Sequence, residues 1–539
     1  MIRTVTAAQA LALLLSVPLA AQNARTSAPP DWTRGGVCYE IFVRSFFDSD
    51  GDGVGDLRGI TQKLDYINDG NATTDRDLGA NCIWLTPVAQ SPSYHGYDIS
   101  NYYQINRDFG TNDDFRQLVA EAHKRGIRVL FDLVLNHTAS DHPYFRSAIL
   151  NAASPYHDWY EWSPVQRKLS TWQAPVWHPA GTRNEFYFGL FWSGMPDLNL
   201  RNPAVTAEAE KIARFWLEQM GVDGFRFDAV QNFFESGDSV RNVPPIHEWL
   251  RDYSAALQRI KPDVYTVGEV WETVDVQSTY YPDQLTSYFT FEVADALINA
   301  IRTGSATQLL PLLTKVQSTF PPLRWSPFLR NHDQTRTMSE FNGDVARNKL
   351  ATTLLLTLPG LPFLYYGEEI GMTGLKAYGD LRIRTPMQWT RTKAVGFTTG
   401  LPWEPLQPDS FTANVEAQEN DATSLLNVTR RMIHLRTRLP ALGAGDFVAL
   451  QSPAGTIAYA RRSDSQSVVV VANLTDHAIA KPLIASSARV LKSGRYGARD
   501  ALGAAATSLR VRGNGVIRGW TPLPSLAPYQ TAILVLERQ

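Results

Sequence analysis

Gly224-Phe225-Arg226-Phe227-Asp228-Ala229 sets two charges inside an otherwise apolar run. The run follows a helical pattern over residues 207–220 and reads as a short buried strand. Successive side chains on a strand point to opposite faces. Phe225 and Phe227 therefore share one face, and Arg226 and Asp228 share the other. A buried charge is costly unless it is paired, hydrogen-bonded or used in chemistry. Taken alone, Arg-x-Asp is most simply a structural ion pair. Its neighbours along the chain point further.

Strand-like runs at residues 38–43, 81–86, 128–135, 223–228, 264–270, 287–291, 325–330 and 362–366 alternate with helical patterns such as 113–125 and 345–356. This alternation predicts a parallel sheet with helical crossovers. Eight strands over most of the chain predict an α/β fold of the TIM-barrel type. A doubly wound sheet is the alternative, but no Gly-rich phosphate turn follows the first strand. The barrel is expected over residues 32–137 and 201–443. An inserted domain rich in Trp, Tyr and Pro spans 138–200, since so long an excursion is seldom a plain loop. From 444 to 539, short alternating runs predict an all-β sandwich.

The chain has 539 residues, 19% of them charged, and a formal net charge of -2. That balance gives no reason to expect nucleic acid or an anionic membrane as partner. Arg3, an apolar run over residues 7–19, and small residues near Ala24 form the pattern of an export signal, expected over residues 1–24 with a linker over 25–31. A secreted or periplasmic protein follows, and a monomer is expected. Cys38 and Cys82 each open a predicted strand. Two cysteines are no framework, so separate buried thiols are expected, although export permits a disulfide.

Four predicted strands end in residues that a core would not choose: Asp132-Leu-Val-Leu-Asn136-His137, Arg226-Phe-Asp228, Gly268-Glu269-Val270-Trp271 and Asn331-His332-Asp333. In a TIM barrel all these ends meet at the face that holds the active site. Converging carboxylates, histidines and an arginine suit acid–base and covalent work on a glycosidic bond. Arg226 favours the ionised form of Asp228, which fits a nucleophile. Glu269, beside Val270 and Trp271, fits a carboxyl kept protonated. Asp333 is left to brace positive charge on the sugar. Covalent attack requires the Asp228 and Glu269 carboxyls to be about 5–5.5 Å apart, with retention of configuration.

In order and spacing these motifs resemble the signature regions of the α-amylase superfamily of glycoside hydrolases, and the similarity runs from about Trp32 to the chain end. The resemblance makes Asp228 the nucleophile, Glu269 the acid/base and Asp333 the transition-state stabiliser. It places Arg226, His137, His332 and Arg384 around the reacting sugar. Ser93-Tyr94-His95-Gly96-Tyr97-Asp98 is similar to a further region, in which His95 would bind that sugar and Tyr97 stack beneath it. Met195-Pro-Asp-Leu-Asn199 resembles the form found in amylases intermediate between oligo-1,6-glucosidases and neopullulanases. The resemblance implies domain B for the insertion.

Asp48-Ser-Asp50-Gly-Asp52-Gly-Val54-Gly-Asp56 sets oxygen donors at alternate positions, with glycines for a tight loop. A metal-free Asp/Gly turn is the alternative. The family resemblance implies a structural Ca²⁺ held by Asp48, Asp50, Asp52, the Val54 carbonyl and Asp56. Asn136 is similar to a residue that binds a second Ca²⁺ in some amylases, without evident partner carboxylates.

Exo-acting α-glucosidases of the superfamily usually carry a carboxylate at the position of Tyr94, so an open cleft for an α-glucan or maltooligosaccharide is expected here. Ala229, in place of the Val of α-1,6-specific relatives, suits α-1,4 linkages. Arg384-Thr-Pro-Met-Gln-Trp389 resembles instead the α-glucosidase and trehalose-synthase branch. An α-amylase is therefore the first expectation and an α-glucosidase or isomerase the second. A binding subunit without catalysis is disfavoured, because all three acids are present.

Overall fold

The computed structural model describes residues 28–171, 174–181 and 183–539. The expected export signal and the first residues of the linker lie outside them. Seven parallel strands form one curled sheet: β1 (Cys38–Ile41), β2 (Cys82–Leu85), β3 (Arg128–Leu133), β4 (Gly224–Phe227), β5 (Tyr265–Gly268), β6 (Ser287–Tyr288) and β7 (Phe363–Tyr365). The run predicted as a strand at 325–330 is not a regular one. Pro327 has no N–H to give a ladder. Its backbone nonetheless closes the barrel. Ser326 N donates to Tyr288 O at 3.0 Å on one side, and Phe363 N donates to Pro327 O at 2.9 Å on the other. The result is a TIM barrel, with helices such as Asn112–Lys124 and Val345–Thr357 outside it.

The period of two sorts the side chains. Ile83, Leu85, Val129, Phe131, Phe225 and Phe227 pack outward into the core shared with the helices. Trp84, Leu130, Tyr265, Val267 and Phe363 pack inside the barrel. Arg226, between Phe225 and Phe227, therefore points inward, where it is 1% exposed. Cys38 and Cys82 belong to the inner set and are direct register partners on β1 and β2. They form a disulfide, with Cα atoms 4.3 Å apart, so the expectation of separate thiols is wrong. Register between adjacent strands made the pair, and a separation of 44 residues in sequence does not reveal register.

Residues 138–200 form a small excursion with a helix (Pro143–Leu150) and a three-stranded antiparallel sheet built from Trp162–Ser163, Phe186–Phe188 and Trp177–Pro179. It returns to the end of β3 by a short antiparallel contact. Leu198 N donates to Asn136 O at 2.8 Å, and Thr138 N to Pro196 O at 3.1 Å. Asp197, buried, accepts from Asn136 Nδ2 at 3.0 Å and from Leu190 N at 2.9 Å.

The C-terminal domain centres on a six-stranded antiparallel sheet. In its strand Ser467–Asn473, Val468, Val470 and Ala472 face the barrel core, whereas Val469 and Val471 face a second core with Ile484, Trp520 and Leu526. Both faces are thus covered. Arg436 and Arg461, each 0% exposed, line the junction of the two domains: Arg461 Nη1 donates across it to Thr357 O at 2.5 Å, while Arg436 Nη1 donates to Leu358 O at 2.6 Å on the barrel side.

Candidate active site

At the C-terminal mouth of the barrel one guanidinium gathers three carboxylates from three strands. Arg226 Nη1 donates to Asp132 Oδ1 at 2.9 Å and to Asp228 Oδ1 at 2.7 Å. Its Nη2 donates to Glu269 Oε2 at 2.7 Å. Asp228 and Glu269 are thereby held on neighbouring nitrogens of a planar, permanently charged fork. The fork lies between the rings of Trp84 and Tyr97, 5.1 and 5.6 Å from their centroids. Ala229 takes a left-handed conformation, φ +47°, unusual for a residue with a Cβ. This turn aims its N–H at Glu269 Oε2, 3.1 Å away.

A second group gathers around Asp333. His332 Nε2 lies 3.1 Å from Asp333 Oδ2, and its Nδ1 lies 2.5 Å from Glu40 Oε1. Arg384 Nη2 donates to Asp333 Oδ1 at 2.6 Å, while its Nε donates to the His332 carbonyl at 2.9 Å. Tyr97 joins the two groups: its hydroxyl lies 3.1 Å from Asp132 Oδ2 and 2.7 Å from His332 Nε2.

Asp228, Glu269, Asp333, His95, Tyr97, His137 and Arg384 all line one cavity of about 460 Å³, with Arg226 and His332 directly behind its wall. Trp192, from the 138–200 excursion, and Trp271 line its rim and are 53% and 43% exposed. A larger cleft of about 640 Å³ runs past Asp52, Arg58 and Asp108, but none of the four strand-end motifs reaches it. Every residue expected at the sugar site is thus at one place. His137 is more engaged than expected, with its Nε2 3.1 Å from Tyr97 O. Burial brings its pKa down to about 3, so it is neutral. His95 Nδ1 accepts from Tyr97 N at 3.1 Å, leaving its other nitrogen for the cavity.

The sequence profile described as alpha amylase, catalytic domain, matches residues 40–445. The chain belongs to the α-amylase family. It is 38% identical to alpha-amylase 3 of Dictyoglomus thermophilum, over 82% of this chain and 85% of that one. It is 35% identical to a trehalose synthase/amylase of Mycobacterium tuberculosis, over 83% of each. The crystal structure of the alpha-amylase from H. orenii superposes with a TM-score of 0.82 at 37% identity, covering 94% of this chain and all of that one. The molecule is therefore a glycoside hydrolase of the α-amylase family.

Within this family member two residues beneath the site had no role assigned from the sequence, Glu40 being unremarked and Asp132 only opening a strand-end motif. Glu40 and Asp132 are each buried in an apolar strand on the inward face. That misplaced charge was the available signal, of the same kind as Arg226.

The acidic loop before the helix Leu57–Gln62 is separate from this site. Asp48, Asp50 and Asp56 bring one carboxylate oxygen each to within 4.8 Å of one another, and hard oxygen donors in such a cluster fit Ca²⁺. Asp52 is not in that group; its Oδ1 accepts from Val54 N at 2.7 Å. Gly53, at φ +96°, has no room for a Cβ against the Leu401 carbonyl. Asn136 is committed to Asp197, and among the described residues no further group of three such ligands converges.

Electrostatics separates the acids of this amylase-family site. Burial raises Asp228; Arg226 opposes this, Asp132 and Asp333 reinforce it, and the pKa settles at about 6. Arg226 thus restrains the rise and does not hold Asp228 at an ordinary carboxylate value. Burial also raises Glu269, again opposed by Arg226 and reinforced by Asp228. Burial works against the charge on His332, but Asp333 and Glu40 outweigh it and bring the pKa to about 9. Asp333 in turn overcomes its burial through His332, Arg384 and Lys376 and lies well below the usual carboxylate range.

An attacking Asp228 must be ionised, so kcat/KM should fall as the pH drops through about 6. Arg226→Gln removes the cation that favours that ionised form and should move this acid limb upward by about 1 pH unit or more. Initial rates on a soluble α-glucoside across pH test this; a limb that stays in place or moves downward contradicts it.

Proposed function

We propose that the protein is an exported, retaining α-amylase-type hydrolase that cleaves α-1,4-glucosidic bonds in starch, maltodextrins and related α-glucans. The observation that carries the reading is the sharing of the Arg226 fork by Asp228 and Glu269, which keeps one carboxylate beside the other in a single cavity. Asp228 attacks the anomeric carbon while Glu269 gives its proton to the departing oxygen. A glucosyl ester on Asp228 results. Glu269, now ionised, takes a proton from water as that water attacks the same carbon from the vacated side, and the ester bond breaks to free the Asp228 carboxylate. Two inversions give net retention. Asp333, kept ionised by His332 and Arg384, faces the positive charge that develops on the sugar ring at each transition state.

Asp228→Asn should lower kcat by about 10⁴-fold or more. Proton NMR of the first products from maltotriose should show the α-anomer before mutarotation. A variant near the wild-type rate, or a β-anomer, refutes the assignment.

The second reading, an α-glucosidase or trehalose-synthase-like isomerase on short α-glucosides, draws support from Arg384, whose guanidinium sits on Asp333. The same product series separates them, because an isomerase yields trehalose and an exo glucosidase yields glucose from the outset. The reading includes a location in the periplasm or medium, a monomeric state, and neither nucleic acid nor a membrane as partner. Among the described residues no helix is long and apolar enough to cross a membrane.

A structural Ca²⁺ is part of the proposal, with Asp48, Asp50 and Asp56 as its carboxylate ligands, the Val54 carbonyl as a further one, and Asp52 as the remaining ligand of the loop. Such an ion would tie the first βα loop and supply no chemistry at the sugar. A chelator should lower the thermal midpoint by about 5 °C or more, restored by Ca²⁺. An unchanged midpoint, with no calcium found in the purified protein, removes the ion.

A further inference from the structure

Two buried cations, His332 and Arg384, hold Asp333, and both are rooted in the same pair of strands. Glu40 on β1 is the register partner of Tyr365 on β7. Glu40 holds His332 from behind through its Nδ1. Arg384 is held from the β7 side, through its backbone. Tyr365 donates its hydroxyl to Ile383 O at 3.1 Å, and Tyr366 donates to Thr385 O at 2.6 Å. Ser45, just after β1, donates its Oγ proton to Arg384 O at 2.5 Å. Three successive carbonyls are therefore gripped by three side-chain hydroxyls, none of them more than 1% exposed.

A buried carbonyl needs a donor wherever it lies, but this clamp also decides where a charge sits. Between the short 3₁₀ turns Asp380–Ile383 and Lys393–Gly396 the chain has neither helix nor strand. No ladder fixes Arg384 there, and the hydroxyls take that part. Their own carriers are rigid. Arg336, 0% exposed, packs against both tyrosine rings, 4.4 and 4.9 Å from their centroids, and donates to Tyr366 O at 2.8 Å. Burial raises both phenols, so each keeps the proton it donates. From this anchored backbone Arg384 sends Nη2 to Asp333 and Nε to the His332 carbonyl. A short charge-assisted bond tolerates little displacement, and a shift of about 1 Å at a reacting centre can lower a rate about 10²-fold.

We propose that Tyr365, Tyr366 and Ser45 are positioning residues that fix Arg384 on Asp333, and through it set how well Asp333 meets the positive charge on the sugar at the transition state. None of the three lines the cavity, so they act only through Arg384. The inference rests on the part proposed above for Asp333 and assigns what stands behind it.

Tyr366→Phe removes one oxygen and keeps the ring. Initial rates on maltotriose should show kcat about 10-fold lower with KM within about 2-fold of wild type, because the loss falls at the transition state. Arg384→Gln alone should lower kcat by about 10²-fold. Adding Tyr366→Phe to that variant should lower it by less than about 2-fold more. A hydroxyl that only satisfies a carbonyl would act independently, and the two losses would multiply. Equal fold-losses in the two backgrounds, a change confined to KM, or a wild-type kcat in Tyr366→Phe overturns the proposal and leaves hydrolysis standing. Thermal midpoints show which variants are folded. If Tyr366→Phe is not, Ser45→Ala carries the same comparison, with Ser45→Thr expected to restore kcat. If the wild type releases no product from maltotriose or starch, the hydrolytic reading itself fails, and this inference with it.

Discussion

The charge of Arg226, buried where the barrel opens, is the constraint around which the site is arranged. A lone guanidinium there would be prohibitively desolvated, and so would three uncompensated carboxylates. Each makes the other tolerable. The planar fork also imposes positions: Asp132 and Asp228 share one nitrogen and Glu269 takes the next. Because the strands that supply them are adjacent and parallel, in the order β3, β4, β5, the register of the sheet is what delivers these side chains to one charge.

That arrangement leaves a net surplus of negative charge in a buried place, and the surplus differentiates the acids. Asp228 and Glu269 are both pushed upward by burial, against which they have the single cation Arg226 between them. Asp333 has cations of its own in His332, Arg384 and Lys376 and is pushed downward. Glu40 completes the device from below by keeping His332 charged. Double displacement at an acetal carbon calls for an ionised attacking carboxylate, one carboxyl that gives and takes a proton, and one that stays anionic, the parts proposed for Asp228, Glu269 and Asp333. Arg384 also joins Asp333 to Asp380 on the cavity wall.

Much of this was legible in the chain. Alternation along 223–228 told which way Arg226 points, and polar residues at strand ends located the mouth of the barrel. What was not legible depended on partners distant in sequence. The Cys38–Cys82 bond needed strand register, and closure of the barrel through 325–330 needed a segment whose proline hides its strand character. The upward shift of Asp228 comes first from burial and then from Asp132 and Asp333, carboxylates brought near it by the fold. Asp380 opens the short 3₁₀ helix Asp380–Ile383 four residues before Arg384, a spacing at which opposite charges meet.

The claim that Arg226 sorts two neighbouring acids into an attacking group and a proton donor is most directly tested by capturing the covalent state. A fluorinated α-glucosyl fluoride that reacts slowly should label the wild-type enzyme stoichiometrically, and peptide mass spectrometry should place the sugar on Asp228. A label on Glu269 or Asp333, or an enzyme that turns over its natural substrate but never accumulates the ester, would contradict the account.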